Sequence, residues 1–133
     1  MTTGQREDGT DVKPAEATAV THAGDDEVLP FRTVLSGVEG RLVRLAGVAH
    51  ETLGRHDYPD PVRRTLGEAL ALVAMLGAPL QDGGRLILEI RSSGPLRSLA
   101  VNFEQPGRLR GYAGFDRDAI QGLAAASVPL LGE

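Results

Sequence analysis

The longest apolar stretch of the chain, Ala69 to Leu80, follows the run His56-Asp57-Tyr58-Pro59-Asp60-Pro61-Val62. Two prolines two apart fix the backbone just before a helix and suit its first turn. The pattern predicts a helix from Val62 to about Gly77, with Glu68 its only charge between Thr65 and Leu80. A helix apolar all round must be covered on every face, so Leu66, Leu70, Val73 and Leu76 are expected in the core. Pro79 closes the helix, because the residue before proline disfavours helical backbone. A carboxylate in an apolar helix is costly unless paired, which makes Arg64, one turn earlier, the expected partner of Glu68.

Ahead of this helix, Phe31 to Leu35 predicts a strand that Ser36-Gly37 breaks, and Gly40 to Leu45 predicts a second. The glycines at 37 and 40 suggest a bulge or bend between them. Val48, Ala49, Thr52 and Leu53 recur at helical spacing and predict a short helix over Ala46 to Arg55. Beyond the long helix the period changes to two. Leu86, Leu88 and Ile90 alternate with Arg85, Glu89 and Arg91, with Ile87 on the polar face. Leu99, Val101 and Phe103 point inward from Ser98 to Glu104, with Asn102 and Glu104 outward. Leu109, Gly111, Ala113 and Phe115 share one face of Arg108 to Asp116. Asp82-Gly83-Gly84 and Gly94-Pro95 are turns, and Gln105-Pro106-Gly107 suits a type II turn. The predicted class is α+β: two strands, two helices, then an antiparallel meander of three strands. Strands on both sides of an all-apolar helix predict sheet on both its faces.

Composition narrows the function classes. Met1 to Asp25 is polar without an apolar period and reads as a disordered leader, leaving a single domain over 26–133. The net charge of −4 arises there: through Leu29 seven acids face Arg6 and Lys13, and the remainder has twelve arginines against eleven acids. That balance gives no basic surplus for nucleic acid. The absence of cysteine removes disulfides and thiolate metal sites from these residues. The start lacks a secretory pattern, and twelve apolar residues are too few for a membrane span, so a cytoplasmic protein is expected.

Candidate chemistry is sparse. His22, His50 and His56 lack the spacing of a metal set, and His56-Asp57 reads as part of the helix stop, its polar side chains bonding the turn. Ser36, Ser92, Ser93, Ser98 and Ser127 include no nucleophile elbow. Gly83-Gly84 does not lead from a strand into a helix and is no phosphate cradle. Arg110-Gly111-Tyr112-Ala113-Gly114-Phe115 matches the first four positions of the aromatic RNA-binding strand, then departs at Gly114, Phe115 and Arg117. Without those stacking rings it reads as an ordinary strand with one exposed tyrosine. No catalytic, cofactor-binding or metal-binding residue is assigned.

One resemblance covers Asp26 to Glu133. Asp26-Glu27-Val28-Leu29-Pro30-Phe31, Gly40 to Leu45, the His56 to Val62 run with Leu66 to Ala78, the Gly94-Pro95 turn and Pro106 to Ala113 occur in the order and spacing of the amino-terminal domain of the 33-kDa chaperonin family. The chain departs from it at Gln81-Asp82-Gly83-Gly84 and at Ser92-Ser93. The resemblance implies a three-layer β/α/β arrangement around a buried helix. It implies a redox-regulated, ATP-independent holdase for unfolding clients, with no catalytic residues. Family members end in a small domain whose four cysteines bind zinc when reduced; this sequence has none of them. The resemblance therefore implies a fragment ending inside the first domain, with the rest encoded downstream. Such a fragment is open to self-association, and its client-binding surface is not fixed by any motif. The alternatives are a small RNA-binding domain using Arg110 to Phe115, or an enzyme of unknown type.

Overall fold

A computed structural model describes residues 12–14 and 26–123. The first sheet is antiparallel, with strands β1 (Val12–Pro14), β2 (Glu27–Thr33) and β3 (Glu39–Arg44) in that order. Two helices follow, α1 (Gly47–Gly54) and α2 (Asp60–Gly77). The second sheet is the expected meander, β4 (Arg85–Arg91), β5 (Leu96–Glu104) and β6 (Arg108–Phe115), and a short helix α3 (Arg117–Gly122) ends the described chain. The fold is α+β: two antiparallel sheets with a long helix packed on strands. β1 lies within the segment read as a leader, whose residues 1–11 and 15–25 lie outside the described residues, as do 124–133.

The core sits between α2 and the second sheet. Val62, Leu66, Leu70 and Val73 of α2 and Leu96, Leu99, Val101 and Phe103 of β5 are at most 1% exposed. α2 packs on β4, β5 and β6 and also touches α1 and β3. Val28 completes the core from β2, with Val43, its partner in register, packed against it.

Five expectations need correction. The expected first strand, Phe31 to Leu35, is displaced. The strand begins at Glu27, and Val34 and Leu35 lie exposed in the turn to β3, where Gly37 takes a φ of +65°. Thr33 closes that hairpin, donating its N–H to Val38 O at 2.9 Å. The Gln105–Pro106 peptide is cis, so proline is third and not second in the turn closed by Gly107 N–H and Glu104 O; this is not type II.

α2 is not covered on every face. Glu68, Leu72 and Leu76 recur every four residues and form one outward stripe, with Leu72 43% and Leu76 51% exposed. Leu76 is therefore not a core residue. Glu68 lies on the same stripe, exposed to water. The carboxylate is solvated where it stands, and no ion pair with Arg64 forms.

Candidate functional site

Three places gather chemically distinctive side chains. The first is the α1–α2 junction. Tyr58 is buried, and its hydroxyl oxygen accepts the Ala113 N–H of β6 at 3.3 Å. Burial raises the Tyr58 pKa above its usual 10.0, partly opposed by that N–H. His56 meets Tyr58 and Tyr112 edge to face, with ring centroids 5.4 and 5.6 Å away. Phe115 lies 6.0 Å from Tyr58, and the Arg117 guanidinium stacks on Phe115 at 5.5 Å. Arg117 also donates to Asp57 O at 3.0 Å and pairs with its carboxylate at 3.5 Å. The run His56 to Tyr58 thus pins the helix junction to β6 and the start of α3. The His56 side chain does so through ring contacts and not by a side-chain bond to the turn backbone, where only its carbonyl takes part, accepting the Tyr58 N–H at 2.9 Å. These side chains surround a cavity of about 240 Å³.

The second place lies between α1 and β6, a groove of about 410 Å³ lined by Val48, Thr52 and Arg55 on one side and Arg108, Leu109 and Arg110 on the other. Asp26, only 3% exposed, lies at its floor. Asp26 accepts from the N–H groups of Ala46 and Val48 at 2.6 and 2.9 Å, satisfying the open start of α1. In the sequence, Asp26 stands out only within the resemblance. Its partners lie 20 and 22 residues away, beyond any local capping pattern.

The third place is the outward face of the first sheet. Leu29 pairs in register with Leu42, and Phe31 with Gly40, so these four share a face opposite Val28 and Val43. Leu29 and Leu42 are 36% and 62% exposed, and the adjoining hairpin exposes Val34, Leu35 and Val38. Phe31 lies over Gly40, where a Cβ would overlap its ring, standing 2.8 Å from Phe31 Cε1.

Of the remaining sequence candidates, some take structural roles, some lie outside the described residues, and His50 is exposed on α1. His22 and Ser127 lie outside them. Ser92 accepts from Gly94 N–H at 2.9 Å and shapes the turn at which the chain departs from the resemblance. Tyr112 is exposed on β6, whereas Phe115 of the same strand packs against Tyr58. Among the described residues no three His, Asp or Glu side chains converge in a way that could hold a metal. The four zinc-binding cysteines of the resemblance have no counterpart in this chain, so its residues do not fit that ion. No helix among the described residues is long and apolar enough to cross a membrane.

The arrangement of the described residues is that of an α+β domain with open apolar surface. The family model described as Hsp33 protein matches residues 26–130, and the chain belongs to this family. It is 42% identical over 104 residues to a 33 kDa chaperonin of Caulobacter vibrioides, covering 78% of this chain and 34% of that protein. It is 43% identical over 85 residues to the 33 kDa chaperonin of Pseudomonas syringae pv. syringae, and 38% over 84 to that of Azotobacter vinelandii. These two matches cover 64% and 63% of this chain and 28% of each relative. The chain spans about a third of the length of the curated relatives it matches. The family is one of chaperones, not of enzymes.

Proposed function

We propose that this chain holds unfolding polypeptides without ATP, as the amino-terminal part of a cytoplasmic holdase acting under heat or oxidative stress. The observation that carries the reading is the apolar face of the first sheet, Leu29, Phe31 and Leu42 with the hairpin residues Val34, Leu35 and Val38. Contiguous exposed apolar surface marks a site of interaction, and an unfolded client offers matching surface of no fixed sequence. Redox control in the family resides in cysteines, so holding by these residues is constitutive. The stripe of Leu72 and Leu76 supports a β/α/β layering completed by further chain in the whole family fold. The same open surfaces favour self-association. An RNA-binding reading is less supported: β6 exposes Tyr112 but not Phe115, and sequence-tolerant stacking needs a platform of rings.

The test is light scattering by a chemically unfolded client diluted into buffer with and without the chain. Suppression near equimolar chain is expected. A Leu29→Asp/Leu42→Asp double variant, shown folded by circular dichroism, should lose most of it. No suppression by the natural sequence, or full suppression by the folded double variant, would overturn the reading and its surface respectively.

A further inference from the structure

We propose that the groove between α1 and β6 binds an extended, acidic stretch of polypeptide, taken up as an additional strand on the β6 edge. The proposal rests on the holdase reading for the source of that segment, an unfolded client. β6 is the last strand of its sheet among the described residues. Its Ala113 N–H turns away from β5 and is closed off by the Tyr58 hydroxyl. Main-chain groups of a strand alternate sides, so those of Leu109 and Gly111 turn the same way. Among the described residues neither has a hydrogen-bond partner on that side. Tyr58 thus ends the open edge at Ala113, and the Leu109–Gly111 portion remains a template for a further strand.

Charge selects the occupant. Five charged residues line the groove: Asp26, Glu51, Arg55, Arg108 and Arg110. Both Asp26 oxygens are taken by α1 N–H groups, and Glu51 pairs with Arg55 at 2.5 Å. Arg108 and Arg110 have no acidic partner among the described residues. A strand bearing carboxylates would supply main-chain bonds to Leu109 and Gly111 and anions to the two guanidiniums, where charge-assisted bonds are strongest. The groove's volume is that of a few residues, so the recognised unit is short.

The experiment titrates three blocked heptapeptides into the isotope-labelled chain and follows amide exchange at Leu109 and Gly111. One alternates threonine and aspartate, the second replaces aspartate by lysine, and the third is the first with alternate amides N-methylated. The aspartate peptide should protect both amides. The lysine and N-methylated peptides should bind at least about tenfold more weakly, one lacking the anions and the other the strand hydrogen bonds. Arg110→Glu, at an exposed position, should weaken the aspartate peptide about tenfold and strengthen the lysine peptide. Equal binding of all three peptides would overturn the proposal. So would protection mapped to Leu29 and Leu42, or protection that grows with protein concentration without peptide, which would make a second copy the occupant. If the Arg110 variant does not fold, the peptide series decides alone. Aggregation suppression is read separately: its loss with peptide binding intact removes the holdase reading and leaves the groove.

Discussion

Gly77 lies directly against the ring of Phe103, where a Cβ would stand 2.6 Å from Phe103 Cγ. Phe103 is 1% exposed and cannot swing into solvent. The last turn of α2 therefore approaches β5 as closely as it does because residue 77 has no side chain. Gln105, at the start of the β5–β6 turn, locks the same corner. Its amide Nε2 donates to the carbonyls of Ala78, the helix cap, and of Leu80 just beyond it, both at 2.9 Å.

Gly77→Ala should consequently destabilise the protein. Alanine is favoured over glycine within a helix by about 1 kcal/mol, but overpacking a filled core costs about 1–3 kcal/mol. Gly67→Ala is the control, because the nearest atom to its Cβ would be Leu53 Cδ1 at 3.8 Å. Urea titration should move the midpoint down for Gly77→Ala and up for Gly67→Ala. A stabilised Gly77→Ala would show that the corner is loosely packed.

Leu70 and Leu76 separate the two faces of α2. Leu70 is fully buried against β6 and Leu76 is half exposed. Leu70→Ala should cost about 2–5 kcal/mol, the range for a buried leucine. Leu76→Ala should change stability by about 0.5 kcal/mol or less, as surface substitutions do. Equal losses measured by denaturant unfolding would mean that Leu76 is covered in solution.

This contrast shows which features local patterns carry. The meander was legible because Leu86 to Ile90, Ile87 apart, and Leu99 to Phe103 alternate between well-marked turns, and β4 runs from Arg85 to Arg91 as expected. The exposed stripe of α2 was not legible, because Leu72 and Leu76 differ in no way from their buried neighbours. Only the position of the sheet decides which leucines face it. β2 was misplaced for a related reason: Val34 and Leu35 look like strand residues, yet they sit in a turn and it is Val28 that meets the core. The candidate surfaces depend on pairings between separate elements, such as Leu29 with Leu42 and Tyr58 with Ala113, which no local period reveals.

Asp26→Ala should cost about 2 kcal/mol or somewhat less by leaving two N–H groups at the start of α1 without their acceptor, the upper range for a lost cap. Asp26→Asn keeps one acceptor oxygen and should lose about half as much. Thermal unfolding of the two variants should rank them in that order. If both match the natural sequence, α1 does not depend on this carboxylate.

Tyr58 links the junction to alkaline stability. Its pKa is raised mainly by burial, so the folded state keeps the proton at a pH where the unfolded chain releases it. Above the unfolded value of about 10, the unfolded state binds fewer protons and unfolding becomes easier as pH rises. The stabilising contribution is complete below pH ~10 and is lost through the folded-state value. Tyr58→Phe should flatten that part of the curve and cost about 1 kcal/mol at neutral pH for the lost bond to Ala113. An unchanged alkaline limb in Tyr58→Phe would assign the slope to other groups.

Holding by this chain should not respond to oxidants. A thiol switch needs cysteine, and the sequence has none; the oxidisable side chains that remain are chiefly Met1 and Met75. The apolar face of Leu29, Phe31 and Leu42 contains no sulfur, and peroxide leaves aliphatic carbon unchanged. Client scattering measured under dithiothreitol and under peroxide should therefore show equal suppression. Suppression appearing only under peroxide would contradict the constitutive surface, unless a Met75→Leu variant abolished the difference. In that case oxidation of the half-buried Met75 within α2 would be loosening the helix and exposing new apolar area.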